Sequence, residues 1–180
     1  MGHLSRLTHG VPVGLVLWLQ PAATPRAAHG RIERVATLET PRAAHTTTAL
    51  PSGKLLVAGG MDSNGGSLAT AEFIDLSTTS VKGSSRMADA RAGHTATTLR
   101  DGRVVLAGGY NGRYLGSVEV FDPARQRFEV MGELNEGRSG HTATLLSDGR
   151  ILLVGGVGSR KRGASAPGWE GSAARRCGDF

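Results

Sequence analysis

The sequence is built on one stretch, Arg91-Ala-Gly-His94-Thr-Ala-Thr-Thr-Leu99-Arg-Asp-Gly102-Arg103-Val-Val-Leu-Ala-Gly108-Gly109, which the chain contains three times. The other two copies begin at Arg42 and Arg138. The arginine, the histidine and the glycine pair all recur at the same spacings, 49 and then 47 residues. A period just under 50 residues is typical of repeat proteins whose units are propeller blades.

Each repeat has the pattern of four short strands. Alternation in His94–Leu99 predicts a first strand, and the apolar run Val104–Ala107 predicts a second strand that is covered on both faces. Asp101-Gly102 between them predicts a type I′ hairpin turn, in which both central residues have positive φ. Ser117–Phe121 and Arg127–Val130 complete four antiparallel strands.

The repeated glycine pairs, the segment Phe121-Asp122-Pro123 and the spacing resemble the Kelch repeat family. The variant pattern Arg-x-x-His-Thr with Asp-Gly-Arg is similar to bacterial Kelch repeats and to the central propeller of the galactose-oxidase type. The resemblance implies an all-β fold, here a partial Kelch β-propeller of about two and a half four-stranded antiparallel blades. Closed propellers have about 4 to 8 blades, so these blades are not enough to close a ring.

We divide the chain into six segments. They are a signal peptide or disordered leader at 1–24, a lead-in with an orphan outer strand at 25–41, Kelch repeats at 42–90 and 91–137, half a repeat at 138–157, and a basic disordered tail at 158–180. A basic start and the apolar run 11–19 favour export, so we expect a secreted or cell-envelope protein, with a cytoplasmic location as the alternative. That run is too short for a stable membrane span.

The incomplete set of blades has three interpretations. The chain is a truncated propeller, a protomer that closes by oligomerising, or a fragment that continues in another chain, and we favour truncation. Open blade faces and an unpaired strand edge predict self-association.

The net charge of +6 does not indicate a nucleic-acid-binding face. Five basic and two acidic residues of the tail supply half of this excess. Cys177 is the only cysteine, so an internal disulfide is excluded.

Candidate ligand-binding residues form two groups. The first group recurs in every repeat and would line the mouth of a central channel: His45, His94, His141, Arg42, Arg91 and Arg138. The alternative, which we favour, is structural: each histidine bonds a backbone group of the neighbouring blade. We expect no metal site, because equivalent positions on adjacent blades lie too far apart to share a zinc ion.

The variable loops that follow the first two glycine pairs, Met61–Thr70 and Tyr110–Ser117, are the expected places for specificity, and the second group lies in the latter. It comprises Tyr110, Asn111, Arg113 and Tyr114, the only aromatic and polar cluster of the chain. These side chains could stack on and hydrogen-bond a sugar or a peptide, since loops on rigid scaffolds carry function. The alternative is an ordinary turn formed by Asn111-Gly112.

We expect a non-catalytic scaffold that binds a protein or a carbohydrate, without a cofactor. Glu72 and Glu119 belong to the repeat pattern, and no nucleophile or phosphate-binding motif is present. The alternative is a fragment of a sugar-active Kelch enzyme, galactose-oxidase-like or mutarotase-like.

Overall fold

The computed structural model describes Arg34, residues 36–158 and residues 175–176, all within one compact unit. These residues form eleven strands and no helix. The strands are β1 (Thr46–Ala49), β2 (Lys54–Ala58), β3 (Thr70–Asp75), β4 (Ser80–Arg86), β5 (Thr95–Thr98), β6 (Val104–Ala107), β7 (Ser117–Asp122), β8 (Arg127–Glu133), β9 (Arg138–Leu145), β10 (Arg150–Gly158) and β11 (Arg175–Arg176).

The strands form three antiparallel sheets, which we call blades 1, 2 and 3. Blade 1 has the order β1-β2-β3-β4, blade 2 the order β5-β6-β7-β8, and blade 3 the order β9-β10-β11. Each four-stranded sheet is therefore a meander, as the repeat pattern predicts. The all-β fold and the partial propeller are confirmed, and none of the sheets is closed.

The prediction of a type I′ hairpin turn was wrong. Leu99 donates its N–H to the carbonyl of Arg103, and Gly102 donates its N–H to the carbonyl of Leu99. Only Gly102 of the Asp101-Gly102 pair has positive φ, at 85°. This geometry is a three-residue loop with glycine in the left-handed position. Asp101 accepts the N–H of Arg103, which stabilises the longer loop.

The apolar residues of blade 2 pack on both of its sides. We call the side of a blade towards the preceding repeat its leading face, and the side towards the following repeat its trailing face. The leading face of blade 2 packs on the trailing face of blade 1, in a cluster that includes Leu56, Phe73, Val104, Leu106 and Phe121. The Phe73 and Phe121 ring centroids lie 5.5 Å apart.

The second cluster joins blades 2 and 3. Val105, Ala107 and Val120 on the trailing face of blade 2 pack against Ile151 and Leu153. Successive residues of β6 thus face opposite neighbours, which explains why this strand is a continuous apolar run.

The two ends of the described region correspond to the predicted lead-in and the predicted tail. Of the predicted orphan strand, Arg34 and residues 36–38 are described and are not in a strand, whereas Ile32 and Val35 lie outside the described residues. The predicted leader at 1–24 lies outside them as well, and so does most of the predicted tail. Within that tail, residues 175–176 form β11, which pairs with Arg150 and Ile151 of β10. The described part of the chain contains no helix that could span a membrane.

Candidate functional site

The repeated arginine is the centre of a buried polar network. In blade 2, the Arg91 guanidinium donates to the carbonyls of Gly108 (2.8 Å) and Ser117 (3.1 Å) and to the Ser117 hydroxyl. It also pairs with the Glu119 carboxylate at 2.6 Å, and both side chains are fully buried. In blade 1, Arg42 makes the same contacts with Gly59, Thr70 and Glu72.

The two buried glutamates tie each blade to the segment that precedes it. Glu119 accepts the backbone N–H groups of Ala88 (2.8 Å) and Asp89 (3.1 Å). Glu72 accepts those of Glu39 and Thr40 in the same way. The lead-in therefore donates to the buried glutamate of blade 1 in the same way that the segment after β4 donates to the buried glutamate of blade 2.

Arg138 occupies the equivalent position in blade 3 with fewer partners. Its guanidinium donates to the Gly155 carbonyl at 2.7 Å. Among the described residues, only the exposed Glu136 carboxylate lies within ion-pair distance, at 3.9 Å. Counting one period from Glu119, the sequence has alanine where a carboxylate would be needed.

Two of the three repeated histidines lie between blades. His94 Nε2 is 3.0 Å from the Thr46 hydroxyl of blade 1, and His141 Nε2 is 3.0 Å from the Thr95 hydroxyl of blade 2. His94 and His141 are both buried. His45 Nδ1 lies 3.1 Å from the carbonyl of Arg42. The bonds across the blade interfaces are to hydroxyl groups, whereas the structural alternative expected backbone groups.

Each buried histidine fits against the first glycine of the preceding pair. A Cβ on Gly59 would lie 2.8 Å from His94 Cε1 and 2.4 Å from the Arg91 carbonyl oxygen. A Cβ on Gly108 would lie 2.9 Å from His141 Cε1 and 2.5 Å from the Arg138 carbonyl oxygen. The absence of a side chain at these positions allows the next blade to approach this closely.

Burial, and next the Arg91 guanidinium, lower the pKa of His94 to about 3. Burial and the Arg138 guanidinium lower the pKa of His141 to about 4. Both imidazoles are therefore neutral in the folded protein at neutral pH. The unfolded chain has histidine pKa values near 6.5, so it binds protons that the folded chain does not.

We therefore expect the free energy of unfolding to fall as the pH decreases below about 6.5. The stability that comes from the neutral histidines is complete above that pH and is lost as the pH approaches the folded pKa values. His94→Gln should make the slope of stability against pH shallower, by up to about 1.4 kcal/mol per pH unit between about pH 5 and 6.5. Urea unfolding followed by circular dichroism over a pH series measures this slope.

Thr46→Val is the matched control for this experiment. It removes the hydroxyl partner of His94 but leaves the titrating imidazole in place. It should lower stability at pH 7 while retaining the slope of the original chain. If His94→Gln left the slope unchanged, the pH dependence could not come from the lowered pKa of His94.

The predicted aromatic cluster is a short turn after the second glycine pair. Tyr110 and Tyr114 pair across it, and Asn111 donates its N–H to the Arg113 carbonyl. The two tyrosine rings are 5.3 Å apart and tilted by 60°. The turn places the tyrosines next to each other.

The tyrosines line a groove with a volume of about 380 Å³, which we call the mouth groove. Three of its side chains, Met61, Tyr110 and Val157, follow the glycine pair in their respective repeats. Tyr114 and short residues from the segments before each histidine, including Ala44 and Ser139, complete it. Tyr110 and Val157 are exposed, at 41% and 63%.

The structure brings together only part of the predicted site. Tyr110 and Tyr114 line the mouth groove, whereas Arg113 lines a smaller, polar cavity of about 200 Å³ with Asp89 and Glu133. His94 and His141 lie in the blade interfaces, whereas the repeated arginine side chains bond within their own repeats. Sequence reasoning placed specificity in the loop that begins at Met61 but named neither Met61 nor Val157 as a binding residue, although their shared position directly after each glycine pair could have identified them.

Comparison with known proteins matches the middle of the chain to a family. The family model of the Kelch motif matches residues 90–135, which is blade 2 with its short flanks. No curated protein matches the chain.

Proposed function

Because this chain is a Kelch-repeat protein, and its buried repeated side chains bond to other parts of the repeats, we propose that it is a non-catalytic scaffold that binds a protein or a carbohydrate through the mouth groove. The main support for the proposal is the pair of tyrosines, with Tyr110 exposed, in a largely apolar groove that crosses all three blades.

The chemistry of the groove favours binding through stacking and apolar contact. Tyrosine presents a large rigid surface and a hydroxyl that remains available for hydrogen bonding. Met61 and Val157 extend the apolar surface on either side of Tyr110, and methionine adapts its shape to irregular partners. A sugar ring or an apolar peptide side chain could occupy such a surface.

The bonding of the repeated acids and bases supports a scaffold over an enzyme. Glu119 already accepts three hydrogen bonds, from Arg91 and two backbone N–H groups. His94 and His141 are buried against threonine hydroxyls at the blade interfaces. A general base must reach a proton of the substrate, and these groups face neighbouring blades instead.

Substitution of Tyr110 by alanine tests the proposal. Ligands would first be selected from a soluble sugar panel and from a library of displayed peptides, and their affinities measured by calorimetry. Tyr110→Ala should weaken binding of a selected ligand at least about tenfold, because exposed tyrosines at the centre of interfaces contribute strongly. Tyr114→Ala should weaken it in the same direction.

Leu76→Ala is the matched control, because Leu76 is similarly exposed, at 45%, in the turn between β3 and β4. The affinity of the Leu76→Ala variant for the selected ligand should be unchanged. Equal affinities of the original chain and Tyr110→Ala would overturn the mouth groove as the binding surface. Turnover of any sugar, with loss of that turnover in His94→Ala, would favour the alternative of a sugar-active enzyme.

A further inference from the structure

The interface between blades 1 and 2 and the interface between blades 2 and 3 share the same polar contacts. At the first, Gly60 donates its N–H to the Arg91 carbonyl at 2.9 Å, and Gly93 donates to the Ala44 carbonyl at 2.9 Å. At the second, Gly109 donates to Arg138 and Gly140 donates to Gly93, both at 2.8 Å. A histidine–threonine bond of 3.0 Å accompanies each set. At both interfaces, the trailing face of one blade contacts the leading face of the next blade.

Blade 3 presents the trailing half of this contact, and no blade packs on it among the described residues. Val154 is 44% exposed, whereas its counterpart Ala107 in blade 2 is 4% exposed. A Cβ on Gly155 would meet no atom within 4 Å. At the counterparts Gly59 and Gly108, a histidine ring and a backbone carbonyl occupy the same space. Thr142, the counterpart of Thr46 and Thr95, is exposed. The pocket that receives a histidine is therefore present and open.

Blade 1 presents the leading half. His45 occupies the position that His94 and His141 hold in the next two blades, and its Nε2 has no partner among the described residues. On this face Leu55, Ile74 and Val81 are partly exposed, although Val57 is buried; Val104 and Phe121, the counterparts of Leu55 and Ile74 in blade 2, are fully buried. Thr47 is exposed where Ala96 of blade 2 packs against the core.

We propose that the trailing face of blade 3 binds the leading face of blade 1 of a second copy of this chain, with His45 of that copy over Gly155 and next to Thr142. The contact repeats the interface already present twice within the chain. The two faces differ, so the association is head-to-tail and each copy can bind two others. This inference concerns assembly and does not depend on what the mouth groove binds.

Two single-site variants of the full chain block one face each. Val154→Lys places a charge on the trailing face, and Thr47→Lys places one on the leading face. Both positions are exposed in the single chain, so neither substitution should disturb the fold. Val130→Lys, at a position that is 60% exposed on β8, is the matched control.

Sedimentation velocity over a concentration series is the measurement. The original chain and Val130→Lys should rise to at least twice the 18.7 kDa of one chain. Val154→Lys alone and Thr47→Lys alone should each remain monomeric, because every possible contact then includes a blocked face. An equimolar mixture of the two should form a dimer and nothing larger, since one pair of intact faces remains.

Three outcomes would overturn the proposal. One is an original chain that stays monomeric throughout the series, as expected if another segment of the chain covers these faces. Another is association that Val154→Lys abolishes but Thr47→Lys leaves intact, which would indicate contact between two trailing faces. The third is a mixture of the two variants that stays monomeric.

Discussion

Replacing Arg91 by alanine is expected to lower the free energy of unfolding by about 3–5 kcal/mol, because the substitution leaves a buried carboxylate without its ion-pair partner. Glu119 is fully buried and would keep only the N–H groups of Ala88 and Asp89. Four hydrogen bonds of the Arg91 guanidinium would be lost at the same time. Urea unfolding followed by circular dichroism measures the change.

Arg138→Ala is the matched control for this prediction. Arg138 has the same position in its repeat, but it pairs with no buried carboxylate among the described residues. Its loss removes the bond to the Gly155 carbonyl and should cost about 1–2 kcal/mol. If the two variants lost equal stability, the buried carboxylate would not be the cause.

The second large effect is expected at Gly108. Gly108→Ala should destabilise the chain by about 1–3 kcal/mol more than Gly155→Ala, because overpacking forces the backbone of the next blade to move. The added Cβ would lie 2.5 Å from the Arg138 carbonyl oxygen. The measurement is again urea unfolding, at concentrations where the chain is monomeric.

Comparison with Gly155→Ala separates the effect of close packing on stability from the effect of the positive φ. Gly108 and Gly155 have similar positive φ values, 64° and 75°, so alanine is strained at both, at a cost of about 1–2 kcal/mol. At Gly155, however, the added Cβ meets nothing within 4 Å. Equal losses at the two sites would show that φ alone accounts for the glycine, and that close packing of the next blade does not.

Most strands could be predicted because the repeat determines them locally. The predicted second strand Val104–Ala107 coincides with β6, and the predicted third and fourth strands begin at the first residues of β7 and β8. The turn type was missed because Asp-Gly occurs in both two-residue and three-residue hairpin loops. The hydrogen bonds of Leu99 show that the loop here has three residues.

The candidate site was predicted less completely than the fold. Tyr110 and Tyr114 were identified because aromatic residues are rare in this chain. Met61 and Val157 have no chemical signal of their own, and they join the mouth groove only because three blades bring equivalent positions together. The ligand-binding role of the histidines and arginines remains a prediction; the observed bonds of His94 and His141 are to the preceding repeat, and those of Arg91 are to its own repeat.

The sequence by itself determined the repeat, the four-strand pattern and the number of blades, because side-chain alternation and glycine spacing act within one period. Only the tertiary structure decided what the repeated spacing of arginine, glutamate, histidine and glycine accomplishes. Arg91 and Glu119 are 28 residues apart, and His94 and Thr46 are 48 residues apart. The first contact depends on how the strands of one blade pair, and the second depends on how neighbouring blades stack. Neither is visible in a sequence pattern that acts within a few residues.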